Sequence, residues 1–228
     1  MQKKLLLVAT GNLHKKEEFQ RLLPGLPLTS FNEYPPIKEI IEDADTFEGN
    51  ATIKSVQAFE ETGLLTLADD SGLEVDALNG APGIYSARYT IGSDLDRAHF
   101  LLKNMEGQSN RKARFRCVLV LSGAPDPQTL GVQADLDDDL RWENQRYIAQ
   151  ASVEGEIGLA LKGAQGFGYD PIFYINPSVY FPTDLSLKNE DNALKSIAEL
   201  PSHQKDLISH RGRAVQKIFK ILKKIFDN

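Results

Sequence analysis

A single cysteine, Cys117, in 228 residues excludes an internal disulfide framework. Stability must come from a packed core, and the cytoplasm is the expected setting. No apolar run approaches the roughly 18 residues that would span a bilayer. The opening MQKKLLLVATGN has too short an apolar part, and no cleavage pattern, for an export signal; it reads as a first buried strand. Positive charge is in deficit: 26 Lys and Arg against 32 Asp and Glu leave a net charge of -6. That balance speaks against nucleic acid or an anionic membrane as partner. An anionic ligand would have to be held by a few local cations. Internal repeats and low-complexity linkers are absent as well.

What is present is enough apolar material for a core, 41% of residues, arranged as alternating strand and helix patterns. KLLLVAT is strand-like, and HKKEEFQRLLPG carries Phe19, Leu22 and Leu23 at helical spacing before Pro24-Gly25. TFEGNATIKSVQAFEETG predicts a helix capped by Thr46 and stopped at Gly63, and LLTLADD a strand that finishes in two carboxylates. LDRAHFLLKNMEG returns to helical spacing, and ARFRCVLVL is another strand. RAVQKIFKILKKIFD closes the chain as a helix near 213–226, with Val215, Ile218, Phe219 and Leu222 on one face. The alternation predicts an α/β fold. Residues 123–146 and 175–192 break it and read as peripheral insertions on one domain spanning 1–228; the acidic run Asp135, Asp137, Asp138 and Asp139 reads as a solvated hairpin tip.

The chemistry-bearing residues raise one question. Asp69 and Asp70 end an apolar strand, and two like charges in a buried setting need positive partners. Candidates are Lys15 or Lys16, which sit where a helix start disfavours cations, Lys54 in TIKS, and Lys205, His210, Arg211 and Arg213 around SHRGR, a polar run ahead of the last helix. The turn Thr10-Gly11-Asn12, between strand and helix, offers backbone amides to a phosphate. GAQGFGYDPIF presents Phe167 and Tyr169 among glycines, with Asp170 as an acceptor. Amides, cations, paired carboxylates and an aromatic face together suit a nucleoside phosphate with Mg²⁺, a hard cation that takes oxygen ligands.

At these residues the chain resembles the inosine/xanthosine triphosphate pyrophosphatases, which hydrolyse deaminated purine nucleoside triphosphates to the monophosphate and pyrophosphate. ATGNLHKKEEF, TFEGNATIK, LADDSGLEVDALNGAPGIYSARY, GFGYDPIF and SHRGRA stand in that family's order over nearly the whole chain. The resemblance implies an elongated α/β domain, with a mixed, twisted sheet and flanking helices in two lobes around a central cleft, acting as a homodimer with Mg²⁺. It assigns Thr10, Gly11, Asn12 and Lys15 to the triphosphate, Asp70 to the metal and to proton acceptance, Ser71 to a substrate contact and Lys54 to the phosphates. Phe167, Gly168, Tyr169 and Asp170 form the base-side loop, with Lys205 nearby; His210 and Arg211 read the base. Glu42 falls at the second metal carboxylate, although Glu39, Asp43 and Asp69 are alternatives. Asp206 stands where the family commonly has asparagine.

The implied reaction is attack of a water, aided by Asp70, on the α-phosphorus. Base choice would rest on donors such as Arg211, which suit the 6-oxo group of hypoxanthine or xanthine and are left unpaired by adenine. A sibling pyrophosphatase for modified pyrimidine triphosphates would carry a serine- and arginine-rich first loop, unlike ATGNLHKK. A non-enzymatic RNA or nucleotide module would want a continuous basic and aromatic surface.

Overall fold

A computed structural model of the protein describes residues 4–34, 37–180 and 194–227. The strands are β1 (Leu6–Val8), β2 (Leu28–Ser30), β3 (Leu65–Val75), β4 (Lys112–Ser122), β5 (Leu140–Glu143), β6 (Arg146–Ile157), β7 (Phe173–Ile175) and β8 (Lys195–Ser196). Helices are α1 (Leu13–Leu22), α2 (Phe47–Thr62), α3 (Asp94–Asn104), the single turns α4 (Pro127–Leu130) and α5 (Pro177–Tyr180), α6 (Ser202–Ile208) and α7 (His210–Asp227). The result is an α/β protein with a mixed eight-stranded sheet ordered β2-β1-β3-β4-β6-β7-β8, with β5 paired to β6. β1 runs parallel to β2 and β3, whereas β6 runs antiparallel to β5 and β7.

Helix boundaries follow local chemistry. The Asn12 side chain caps α1, accepting from the amides of His14 and Lys15 at 2.9 and 3.2 Å. Thr46 caps α2 through the Gly49 amide at 3.0 Å, and Gly63 ends it in the left-handed conformation at φ 66°. Ser93 and Asp96 form a reciprocal capping box at the start of α3.

The chain divides into two compact units: the first comprises Met1–Ser71, Cys117–Ala151 and His210–Asn228, the second Gly72–Arg116 and Ser152–Ser209. In the first, Leu6, Val8, Phe19, Leu67, Leu119 and Leu121 pack with Val215, Ile218 and Leu222 of α7. The expected apolar face of the closing helix is therefore buried. That helix begins at His210, earlier than its apolar spacing indicated, because polar residues fill its first turn without breaking it.

Residues 123–146 are more than a solvated tip. Leu130, Val132 and Leu140 are buried in the same core as α7, and β5 forms a hairpin with β6. The acids are still used: Asp139 pairs with Lys217 and Asp135 with Lys220 on the polar side of α7. Of the second expected insertion, 175–192, residues 181–192 lie outside the described residues. The second unit has its own core, in which Leu73, Val75, Ala98, Leu101, Phe115, Val153, Tyr169 and Phe173 are buried.

Candidate active site

The strand expected to end at Asp69-Asp70 continues to Val75. It can do so because every carboxylate oxygen of Asp69 is met from the side. Lys15 donates to its Oδ1 at 2.6 Å; Arg211 donates to its Oδ2 through Nε and Nη2 at 3.1 and 3.0 Å, and Ser71 Oγ does so at 3.0 Å. The Cys117 thiol lies 3.8 Å from the same oxygen. Burial alone would push the Asp69 carboxyl up, but the charges of Arg211, Lys15 and Lys54 hold it well below the usual carboxylate range. Arg211 is fixed in turn by Glu18 of α1, a buried ion pair, and its Nη2 donates to Ser71 Oγ at 2.9 Å.

Asp70 lives under the opposite conditions. It is 9% exposed, one oxygen accepts from the Ser71 amide at 3.1 Å, and the buried Oδ2 has no hydrogen-bond partner among the described residues. Burial pushes its pKa up to about 6, with Asp69 adding to the rise and Lys54, Lys15 and the nearby Asn50 amide opposing it. Two adjacent residues of one strand are thus separated in chemistry. Asp69 is a saturated anion, and Asp70 is a carboxylate with an oxygen to spare.

Lys54 is buried although it lies mid-helix; it donates to the Asp69 carbonyl at 3.0 Å and pairs with Glu42 at 2.8 Å. Among the alternatives Glu39, Glu42 and Asp43, the structure brings Glu42 to this cation. Lys15 turns into the cluster, while Lys16 pairs with Glu33 on the surface. Thr10 Oγ1 accepts from the Asn12 amide at 3.1 Å, and Asn32 donates to the Gly11 carbonyl at 3.1 Å, which holds the turn.

In the second unit, residues 166–170 form a pinned loop. Asp170 is buried and its Oδ2 accepts from Lys205 Nζ at 2.6 Å and from the Phe167 amide at 2.9 Å. Lys205 Nζ sits 4.9 Å from the centre of the Phe167 ring, a cation–π distance. A side chain at Gly166 would have its Cβ 2.0 Å from Asp170 Oδ2. Tyr169 is buried and donates its hydroxyl to the Ser86 carbonyl at 2.9 Å.

A family model described as the Ham1 family matches residues 6–221. The chain belongs to the Ham1 family. It is 39% identical over 227 residues to a dITP/XTP pyrophosphatase of Desulforamulus reducens, covering 97% of this chain and 96% of the relative, and 40% identical over 226 residues to one of Vibrio cholerae, covering 96% of both. Among solved structures, a Ham1 protein of Coxiella burnetii superposes with a TM-score of 0.73 at 33% identity, covering 97% of this chain and 99% of that one. The dITP/XTP pyrophosphatase of Mycobacterium abscessus gives 0.63 at 32%, covering 94% and 98%.

Within this Ham1 chain, the expected site residues fall into two sets. Thr10, Gly11, Asn12, Lys15, Glu42, Lys54, Asp70, Ser71, His210 and Arg211 belong to the first unit, and Phe167, Gly168, Tyr169, Asp170 and Lys205 to the second. Arg211 is engaged by Asp69, Glu18 and Ser71. His210 is buried in the first turn of α7. The Asn12 side-chain oxygen is engaged in capping α1. Three contributors had gone unassigned: Glu18, Asn50 and Asn32. Asn50 lies one turn ahead of Lys54, and its spacing was the signal; Glu18 lies one turn after Lys15 in α1.

Proposed function

We infer that the chain is a nucleoside triphosphate pyrophosphatase that hydrolyses dITP and XTP, and ITP with them, to the monophosphate and pyrophosphate. Full-length identity near 40% to dITP/XTP pyrophosphatases supports the reaction. The observation that carries the mechanism is the buried, unpartnered Oδ2 of Asp70 beside Lys54 and Lys15.

Divalent magnesium fits this donor set. Among the described residues no three His, Cys, Asp or Glu side chains group into a metal cage. Mg²⁺ does not need one, since it is commonly bound by one or two carboxylates together with substrate phosphates. Asp70 would hold it, with Glu42 as the second carboxylate once its pairing with Lys54 is shared or exchanged. When bound, the ion supplies Lewis-acid polarisation of phosphate oxygens.

The protein's own groups account for the rest. Asp70, whose Oδ2 has no hydrogen-bond partner among the described residues, would orient a water and take its proton. Attack at the α-phosphorus expels pyrophosphate. Lys15 and Lys54 would neutralise charge on the phosphate oxygens, a role worth on the order of 10²- to 10³-fold in rate for a preorganised donor. Asp69 keeps both lysines close and aligned. In the second unit, the Phe167 face and the Lys205 ammonium would supply stacking and a donor for an oxo-purine. The resemblance also supports a homodimer working in the cytoplasm, which sedimentation and fractionation would test.

Pyrophosphate release from XTP, dITP, ITP, GTP and ATP, with Mg²⁺ and with chelator, tests the reading. Metal-dependent pyrophosphate from the first three and little from the last two is the expected pattern. Orthophosphate release, or tight retention of ITP without turnover, would overturn it, and retention would favour a nucleotide-binding module.

A further inference from the structure

The base-side loop is held from outside its own sequence neighbourhood at several points, among them Ser86, Lys205 and Asp94. Gly168, in the left-handed conformation at φ 64°, donates its amide to Asp94 Oδ2 at 2.7 Å. Asp94 is the first residue of α3, and its other oxygen is paired with Arg97 one turn later. Arg97 is braced by the Gly92 carbonyl, which accepts from its Nη1 at 2.8 Å. The carboxylate is therefore oriented from behind, with one oxygen committed to the loop. Asp170 holds the preceding amide, that of Phe167, and Ser86 holds the following side chain, that of Tyr169. Of these anchors only Asp94 supports the peptide immediately after Phe167. No motif of the sequence pointed to it, because the partner lies 74 positions away.

We propose that Asp94 is a positioning residue for base recognition, its carboxylate fixing the Gly168 peptide and through it the face that Phe167 presents to the purine. The proposal rests on the reading of residues 166–170 as the base-side loop. A charge-assisted hydrogen bond to a backbone amide is a strong one, and a loop left to wander about its productive position loses uniform binding, which reads out as a raised KM. Asp94→Asn keeps an acceptor for Gly168; Asp94→Ala removes it.

The test is steady-state hydrolysis of ITP by Asp94→Ala, Asp94→Asn and Phe167→Ala, with amide hydrogen exchange of the 166–170 peptide as a readout independent of turnover. Asp94→Ala should raise KM for ITP on the order of tenfold, the scale of one lost charge-assisted hydrogen bond, with kcat within about twofold. It should also speed exchange in 166–170, while Asp94→Asn stays near wild type in both. Unchanged KM and exchange in Asp94→Ala, alongside a raised KM in Phe167→Ala, would overturn the proposal and leave the base-side reading intact. An unchanged KM in Phe167→Ala would overturn that reading and the proposal with it. Should Asp94→Ala fail to fold, Asp94→Asn decides: a KM raised as far as that of Phe167→Ala, with unaltered exchange, contradicts a positioning role.

Discussion

At the scale of single residues, the two neighbouring aspartates show how environment separates like groups. Asp69 meets two cations, a hydroxyl and a thiol, so its charge is stabilised; Asp70 is buried with an unpartnered oxygen, so its charge is costly. The sign of the pH effect follows. A carboxyl whose folded pKa is about 6 binds its proton more tightly than in the unfolded chain, where an aspartate has its ordinary value of 3.8. Ionised Asp70 therefore costs stability above pH 6, by about 3 kcal/mol at roughly 1.4 kcal/mol per pKa unit, and the cost fades as pH falls. Chelator-treated Asp70→Asn should be more stable than wild type at pH 7.5 by up to that amount, with the difference shrinking as pH falls through about 6 and gone only below the unfolded value of 3.8. Urea unfolding at the two pH values checks it. Asp69 contributes in the other direction, since its pKa is lowered: its stabilisation holds above the unfolded value and is lost in acid. Asp69→Asn should destabilise at pH 7.5 by roughly 3–5 kcal/mol, because it strands Arg211 and Lys15 in a buried network.

The pair itself was visible in the sequence, along with the need for positive partners. Its division of labour was not, because it is set by Lys15, Glu18, Lys54, Cys117 and Arg211, which only the fold brings together. Arg211 shows the same limit: its donation to Asp69 could not be read from the sequence.

At the scale of elements, periodicity served where one face meets a core. α1, α2, α3 and the apolar face of α7 were legible for that reason, as were the caps at Thr46 and Gly63. Segment 123–146 was not, since its apolar residues are spaced for a turn, a short hairpin and a bridge. Leu140 is 3% exposed and belongs to the core that holds α7. Leu140→Ala should cost about 2–5 kcal/mol by leaving a cavity, whereas removing the exposed Lys220 ammonium opposite Asp135 should change stability by less than about 1 kcal/mol. Thermal or denaturant unfolding of the two variants distinguishes a core element from a solvated tip. That residues 166–170 form a loop was legible by composition, its glycines and aromatics together. Its anchor Asp94 was not, since a helix-start aspartate also serves as an ordinary first-turn acid.

At the scale of the whole molecule, net charge and motif order carried the function class. A chain with net charge -6 binds anions only where side chains are gathered for it, and Lys15, Lys54 and Arg211 are gathered around Asp69 in the first unit. The five motifs quoted from the sequence all lie within residues 6–221, the span that the Ham1 family model matches. Composition could not say which cation meets which carboxylate; the fold pairs Lys15 with Asp69 and Lys54 with Glu42. The account stands most directly on one measurement: XTP turnover by Asp70→Asn in saturating Mg²⁺, with wild type alongside. A fall in kcat of roughly 10²- to 10⁴-fold, the range for loss of a general base, with the fold retained, is expected. Turnover within a few-fold of wild type would contradict the assignment of Asp70 and, with it, the mechanism built on its spare oxygen.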